Sequence, residues 1–138
     1  MTAADDRPDV ATILLEGMSS EGVQVVRSSA RRLLVVAGAG AGKTEAMARR
    51  IAWWHGMDGV PKDRIVAFTF TERAAEEMKF RVRRFMSAIS PDGDDPSLGG
   101  MYVGTIHSYC LNQLRALWPQ EFHNDEIVDD VARYALVQ

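Results

Sequence analysis

Cysteine is almost absent from this sequence. Cys110 stands alone among 138 residues. That excludes an intramolecular disulfide and any metal site built from cysteines only, and it makes a reducing cytoplasm the expected compartment. Long apolar runs are missing too, and no stretch approaches the roughly 20 residues that a membrane-spanning helix needs. The acidic opening "MTAADDRPDV" has no basic segment leading into an apolar one, so it does not read as a signal peptide. No internal repeat is visible. An overall positive charge is lacking as well: the formal net charge is −3, which on its own argues against a polyanionic partner.

The distribution of charge says otherwise. Residues 1–22 hold five acids and one base, residues 23–84 hold 13 Lys/Arg against six acids, and residues 85–138 hold eight acids and two bases. A basic middle lies between acidic ends, and local charge matters more than the total for binding a polyanion. The same charges would also suit solvated helix faces. The remaining composition, 46% hydrophobic and 25% charged, is that of an ordinary globular domain with a core of its own.

Periodicity orders the chain. Residues 10–18 read as a short helix, and 19–29 as a second, with Ser19 or Ser20 as its N-cap. "RLLVVAG" (32–38) reads as a short buried strand closed by glycine. From Lys43 the period is helical, with Met47, Ile51 and Trp54 on one face. A loop at 55–63 precedes a second strand at 64–70. The next helix runs from about Thr71 to Met86, burying Ala75, Met78, Val82 and Phe85. An acidic, turn-rich loop (90–100) leads to a third strand at 101–105. A helix at 106–118 follows, with Ile106, Cys110, Leu114 and Leu117 in register. A last amphipathic helix is expected at 125–138. Alternating strands and helices predict an α/β fold with a parallel sheet.

Strand, small-residue loop, Lys-Thr, helix: "LLVVAGAGAGKT" has the P-loop arrangement. Gly38, Gly40 and Gly42 lack Cβ, so the loop Ala37–Gly38–Ala39–Gly40–Ala41–Gly42 can turn several N–H groups toward one anion. The helix that follows adds unpaired N–H groups and the positive end of its dipole. Lys43 can reach β- and γ-phosphates, and the Thr44 hydroxyl can ligate the bridging Mg²⁺. Glu45 is the next residue of that helix start. The strict pattern has glycine at position 37, where this chain has Ala37. A chance Lys-Thr after a Gly/Ala turn would not explain a strand before it and a helix after it.

Two further segments follow in order, "IVAFTFTERAAEEMKFRV" (65–82) and "VGTIHSYCLNQLR" (103–115). Together with the loop, they resemble the amino-terminal motifs of the UvrD/Rep family of superfamily 1 DNA helicases, over about residues 20 to 118. The resemblance implies a P-loop NTPase (RecA-like) parallel sheet flanked by helices. It implies an incomplete domain of that kind at 1–118 and the start of an inserted helical subdomain at 119–138. It implies ATP and Mg as cofactors at Lys43 and Thr44. The implied partners are single-stranded DNA, or a junction of single and double strands, and a second RecA-like domain of the same parent. Phe70, Thr71 and Arg73 match one DNA-contacting motif, where an aromatic can stack on a base. Thr105, His107 and Ser108 match another, where polar groups meet backbone phosphate. Lys79, Arg81, Arg83 and Arg84 add charge nearby.

Three departures stand out. Ile106 replaces a phenylalanine, and Glu72-Arg73 replaces Asn-Lys. The family's adenine-reading glutamine aligns with Gly22, while Gln24 lies two residues on, about 200° around a helix. The Asp-Glu pair that the family uses for hydrolysis has one weak imitation, "EIVDD" (126–130), which reads as a solvated helix. The expectation is a piece of an ATP-dependent helicase that binds nucleotide and hydrolyses little by itself. The rivals are a piece of a related recombination helicase–nuclease, and a non-catalytic nucleotide- or DNA-binding regulatory module.

Overall fold

The computed structural model describes residues 9–90 and 98–122. It divides into two compact units, Met1–Thr105 and Ile106–Gln138.

In the first unit, α1 (Val10–Leu15) stops short of Gly17, whose φ of 71° lies in the left-handed region. That glycine is why the helix ends sooner than periodicity suggests. Ser19 then starts α2 (Ser20–Arg27), its Oγ accepting the Gly22 N–H at 3.2 Å. Helix α3 (Lys43–Gly56) is the hub, packed by α1, α2 and α4. Ala48 and Ala52 are fully buried there, because small side chains let neighbouring helices approach closely. The Met47–Ile51–Trp54 face is therefore one side of a helix covered on several sides. Ile51 is buried and Trp54 half-buried, while Met47 is exposed.

A short 3₁₀ turn (Lys62–Arg64) takes up the start of the expected second strand and leads into β1 (Val66–Thr69). Helix α4 (Glu72–Ile89) buries Ala75, Met78, Val82 and Phe85 as expected, and Met86 as well. It crosses over to β2 (Tyr102–Thr105), which pairs with β1 in parallel from Val66↔Tyr102 to Thr69↔Thr105. Leu14, Val26, Ile51, Val82, Phe85 and Val103 belong to one continuous core.

The expected strand at 32–38 does not form. Residues 33–38 are in neither helix nor strand. An apolar run becomes a strand only through a ladder partner. Among the described residues, β1 and β2 pair only with each other. Leu34 and Val36 are each left 86% exposed.

The second unit holds α5 (Ile106–Leu117) and the single turn α6 (Pro119–Phe122). The face of α5 that carries the in-register residues is largely open: Ile106, Cys110 and Leu117 are exposed and Leu114 is half-buried. Within this unit, α6 is the only described element for that face to pack on. The helix expected at 125–138, and the acidic pair within it, lie outside the described residues.

Candidate functional site

The loop between residues 37 and 42 is exposed throughout. Gly40 and Gly42 each have φ 75°, a conformation that costs any other L-residue strain. Gly38 has no such φ, and a Cβ there would meet nothing within 4 Å. The chain's own folding therefore requires two of the three glycines, and the third leaves open space against the loop. Gly42 caps α3 without supplying a side-chain acceptor, so the N–H groups of Lys43, Thr44 and Glu45 open the helix with no side-chain cap. Ala46 N–H is the first to bond inside the helix, to Gly42 O at 2.9 Å.

Lys43 closes the loop on itself. Its Nζ donates to Ala37 O at 2.7 Å and to Gly38 O at 2.5 Å. The ammonium thus lies over the start of the loop, in reach of any anion held by the N–H groups. Thr44 is exposed one residue on. Beside the loop opens a groove of about 380 Å³, with Lys43 and Arg31 among its lining residues and Leu33, Val35, Trp54 and Phe68 as apolar walls. Gln24 is exposed on α2, whereas Gly22 is half-buried one turn from the cap. A side chain at Gly22 would press on the flexible end of Met18 at 2.9 Å.

Glu45 is held by arginines. Its Oε1 accepts from Arg49 Nε at 3.1 Å and Arg84 Nη2 at 2.8 Å, and its Oε2 accepts from Arg81 Nη1 at 2.6 Å. Partial burial raises the carboxyl pKa, but hydrogen bonds from Arg81 and Arg49 and the nearby charge of Arg84 outweigh that and hold it below the ordinary glutamate value. Arg49 and Arg84 also flank the Phe85 ring at 4.8 and 4.6 Å from its centroid.

At the end of β1, Phe70 is 96% exposed. That excludes a plain core role for it. Thr71 caps α4, its Oγ1 accepting Ala74 N–H at 3.1 Å, and Thr69 Oγ1 donates to Thr71 O at 3.2 Å. Arg73 is exposed in the first turn. Thr105 is buried, and its Oγ1 donates to Glu72 Oε1 at 2.9 Å. Glu72, one of the departures from the family pattern, is therefore turned to β2. Tyr102 donates to Thr105 O at 2.8 Å, and a Cβ at Gly104 would lie 2.5 Å from the tyrosine oxygen. Gly104 is thus fixed by packing. His107 and Ser108 belong to the second unit, in the first turn of α5. Of the basic residues on α4, Lys79 pairs with Glu76 at 2.7 Å and Arg81 with Glu77 at 2.7 Å as well as with Glu45. Arg83 is exposed on the same helix.

Two residues that sequence reasoning passed over organise this region. Arg49 Nη1 donates to Leu14 O at 3.0 Å and Glu16 O at 2.7 Å, closing the end of α1. Arg50, buried, donates to Val25 O, and at 2.9 Å to Ser28 O, closing the end of α2. Its guanidinium also lies over Trp54, and burial lowers its pKa. Neighbouring arginines on the helix that starts at the loop thus hold two other helices by their C-termini.

No group of three metal-ligating side chains occurs among the described residues, and no described helix is long and apolar enough to cross a membrane.

Comparison with known proteins matches residues 18–132 to the model of the UvrD/REP helicase N-terminal domain. The chain is 42% identical over 112 residues to the ATP-dependent DNA helicase UvrD1 of Mycobacterium leprae (strain TN), a match covering 80% of this chain and 14% of that protein. It is 38% identical over 103 residues to DNA helicase II of Escherichia coli (strain K12), covering 75% of this chain and 13% of that protein. It is 37% identical over 102 residues to the ATP-dependent DNA helicase PcrA of Staphylococcus epidermidis, covering 74% and 13%. The matched region is thus about one seventh of the length of these relatives.

Proposed function

The chain belongs to the UvrD/REP helicase N-terminal domain family, and from that membership we propose that it is the nucleotide-binding part of an ATP-dependent DNA helicase. Residues 1–118 are then part of a RecA-like P-loop domain, and 119–138 begin an inserted helical subdomain. The setting is cytoplasmic. The observation that carries this reading is the loop. Two left-handed glycines lead into an uncapped helix start, and the Lys43 ammonium lies over the loop's first carbonyls.

The residues present fit a nucleoside triphosphate. The N–H groups of the loop and of the first turn of α3 take the phosphate oxygens. Lys43 leaves Ala37 O and Gly38 O for the β- and γ-phosphates. Thr44 is the residue that would hold Mg²⁺, whose charge would offset that of the phosphates. Gln24 is the side chain offered to the base. Phe70, Thr71 and Arg73 meet single-stranded DNA at the end of β1, with Phe70 stacking on a base. His107 and Ser108 add phosphate contacts. Thr105 belongs to the same motif, but it is buried and its hydroxyl is engaged by Glu72. Glu45 is a member of the site through the helix it steadies, since its carboxylate is committed to arginines.

Hydrolysis needs a carboxylate to orient water, and the parent's second RecA-like domain completes the cleft. The chain by itself therefore binds ATP and turns over almost none. A fluorescent ATP analogue titrated into the chain tests the reading. Lys43→Ala is expected to weaken binding about tenfold or more, the loss of a charge-assisted hydrogen bond. Equal affinity in the two proteins would remove the basis for the proposal.

A further inference from the structure

Glu45 raises an electrostatic problem. It follows Thr44 directly, in the first turn of a helix whose start is proposed to hold phosphates. An uncompensated carboxylate there would repel the ligand. The structure surrounds it with three guanidinium groups, from Arg49, Arg81 and Arg84. Two of these come from α4, and they reach back across 36 and 39 residues of chain. Arg84 and Arg49 also lie within 4.6 and 4.8 Å of the centroid of the buried Phe85 ring, so the ion pairs sit against a packed aromatic. The side chain of Glu45 is 24% exposed and that of Arg81 31%, so both are partly shielded from the water and salt that weaken surface pairs.

Helix α4 is pinned a second time, at its N-terminus. Glu72 accepts the Thr105 hydroxyl, and Thr71 caps the helix next to exposed Phe70. Arg81 lies ten residues beyond Thr71, about 15 Å along the axis. The helix is therefore a strut, with one fixing beside the phosphate loop and the other beside the exposed aromatic.

We propose that Glu45 is a positioning residue that joins the phosphate loop to the Phe70 end of α4 through Arg81 and Arg84. It rests on the function proposed above. A ligand that shifts the first turn of α3 moves Glu45, and Glu45 moves α4. The affinity for single-stranded DNA then depends on whether nucleotide is bound, and by linkage the reverse holds.

The test measures that dependence in the full chain. Binding of fluorescein-labelled oligo-dT is followed by anisotropy, with and without a saturating non-hydrolysable ATP analogue and Mg²⁺. The wild-type chain is expected to show a shift in oligo-dT affinity of about fivefold or more. In Glu45→Gln, measured at analogue concentrations that saturate the variant, the shift falls below about twofold. The double variant Glu45→Gln/Arg81→Gln loses no more coupling than the single, a non-additivity that general loosening does not produce. Arg84→Gln, whose side chain is 52% exposed, reduces the shift without threatening folding. A full-sized shift in Glu45→Gln or Arg84→Gln overturns the proposal, and so do additive losses. A wild-type chain that binds both ligands with no shift overturns it too. If the wild-type chain binds neither ligand, the proposed function falls along with it.

Discussion

Phe70 illustrates how one side chain separates two readings. Periodicity makes it the last apolar residue of a strand, which suggests core. The motif makes it a DNA contact. At 96% exposure it contributes almost nothing to folding. Phe70→Ala should therefore leave the melting temperature unchanged, while oligo-dT affinity falls by about 1–3 kcal/mol, the worth of one stacked base. A matched loss of stability and binding would return it to the core. Lys43, Thr44 and Phe70 stand out in the sequence as candidates because a motif fixes residue types at set spacings. Arg49 and Arg50 do not. Their acceptors are backbone carbonyls of α1 and α2, and a carbonyl has no letter in the sequence. An arginine in mid-helix reads as solvated until the fold shows what it faces.

At the scale of elements, the sequence marks α4 almost to its ends, because its apolar stripe and its Thr71 cap both lie within the segment that forms it. The apolar run 33–36 departs from expectation for the opposite reason. Its composition reports a preference for burial, but strand formation depends on a partner elsewhere. Likewise α5 has a helical pattern whose face is left exposed. Helix α2 has a dependence of its own: its last carbonyls are satisfied by Arg50 from α3. Arg50→Met keeps an unbranched apolar stem over Trp54 but removes those donors. The expected cost is on the order of 1–3 kcal/mol, from partly buried carbonyls left without a partner. Urea unfolding reads it directly, and an unchanged midpoint would mean that water replaces the guanidinium.

On the scale of the whole molecule, the exposed run Leu33–Val36 stands out. Two of its side chains are 86% exposed, and unpaired apolar backbone of this kind promotes contact between chains. Light scattering across a concentration series should show self-association in the wild-type chain. Leu34→Lys should reduce it while leaving nucleotide affinity within about twofold, since a charge on an unpaired segment opposes edge pairing. Undiminished association in that variant would place the contact elsewhere. Lys43 bears on how the molecule meets its ligand. Its ammonium already rests on two carbonyl oxygens, so the loop is a socket with a plug in place. Whatever anion arrives is exchanged for that plug. The free energy gained at this loop is the difference between two sets of contacts, and only a ligand with several negative oxygens makes that difference large.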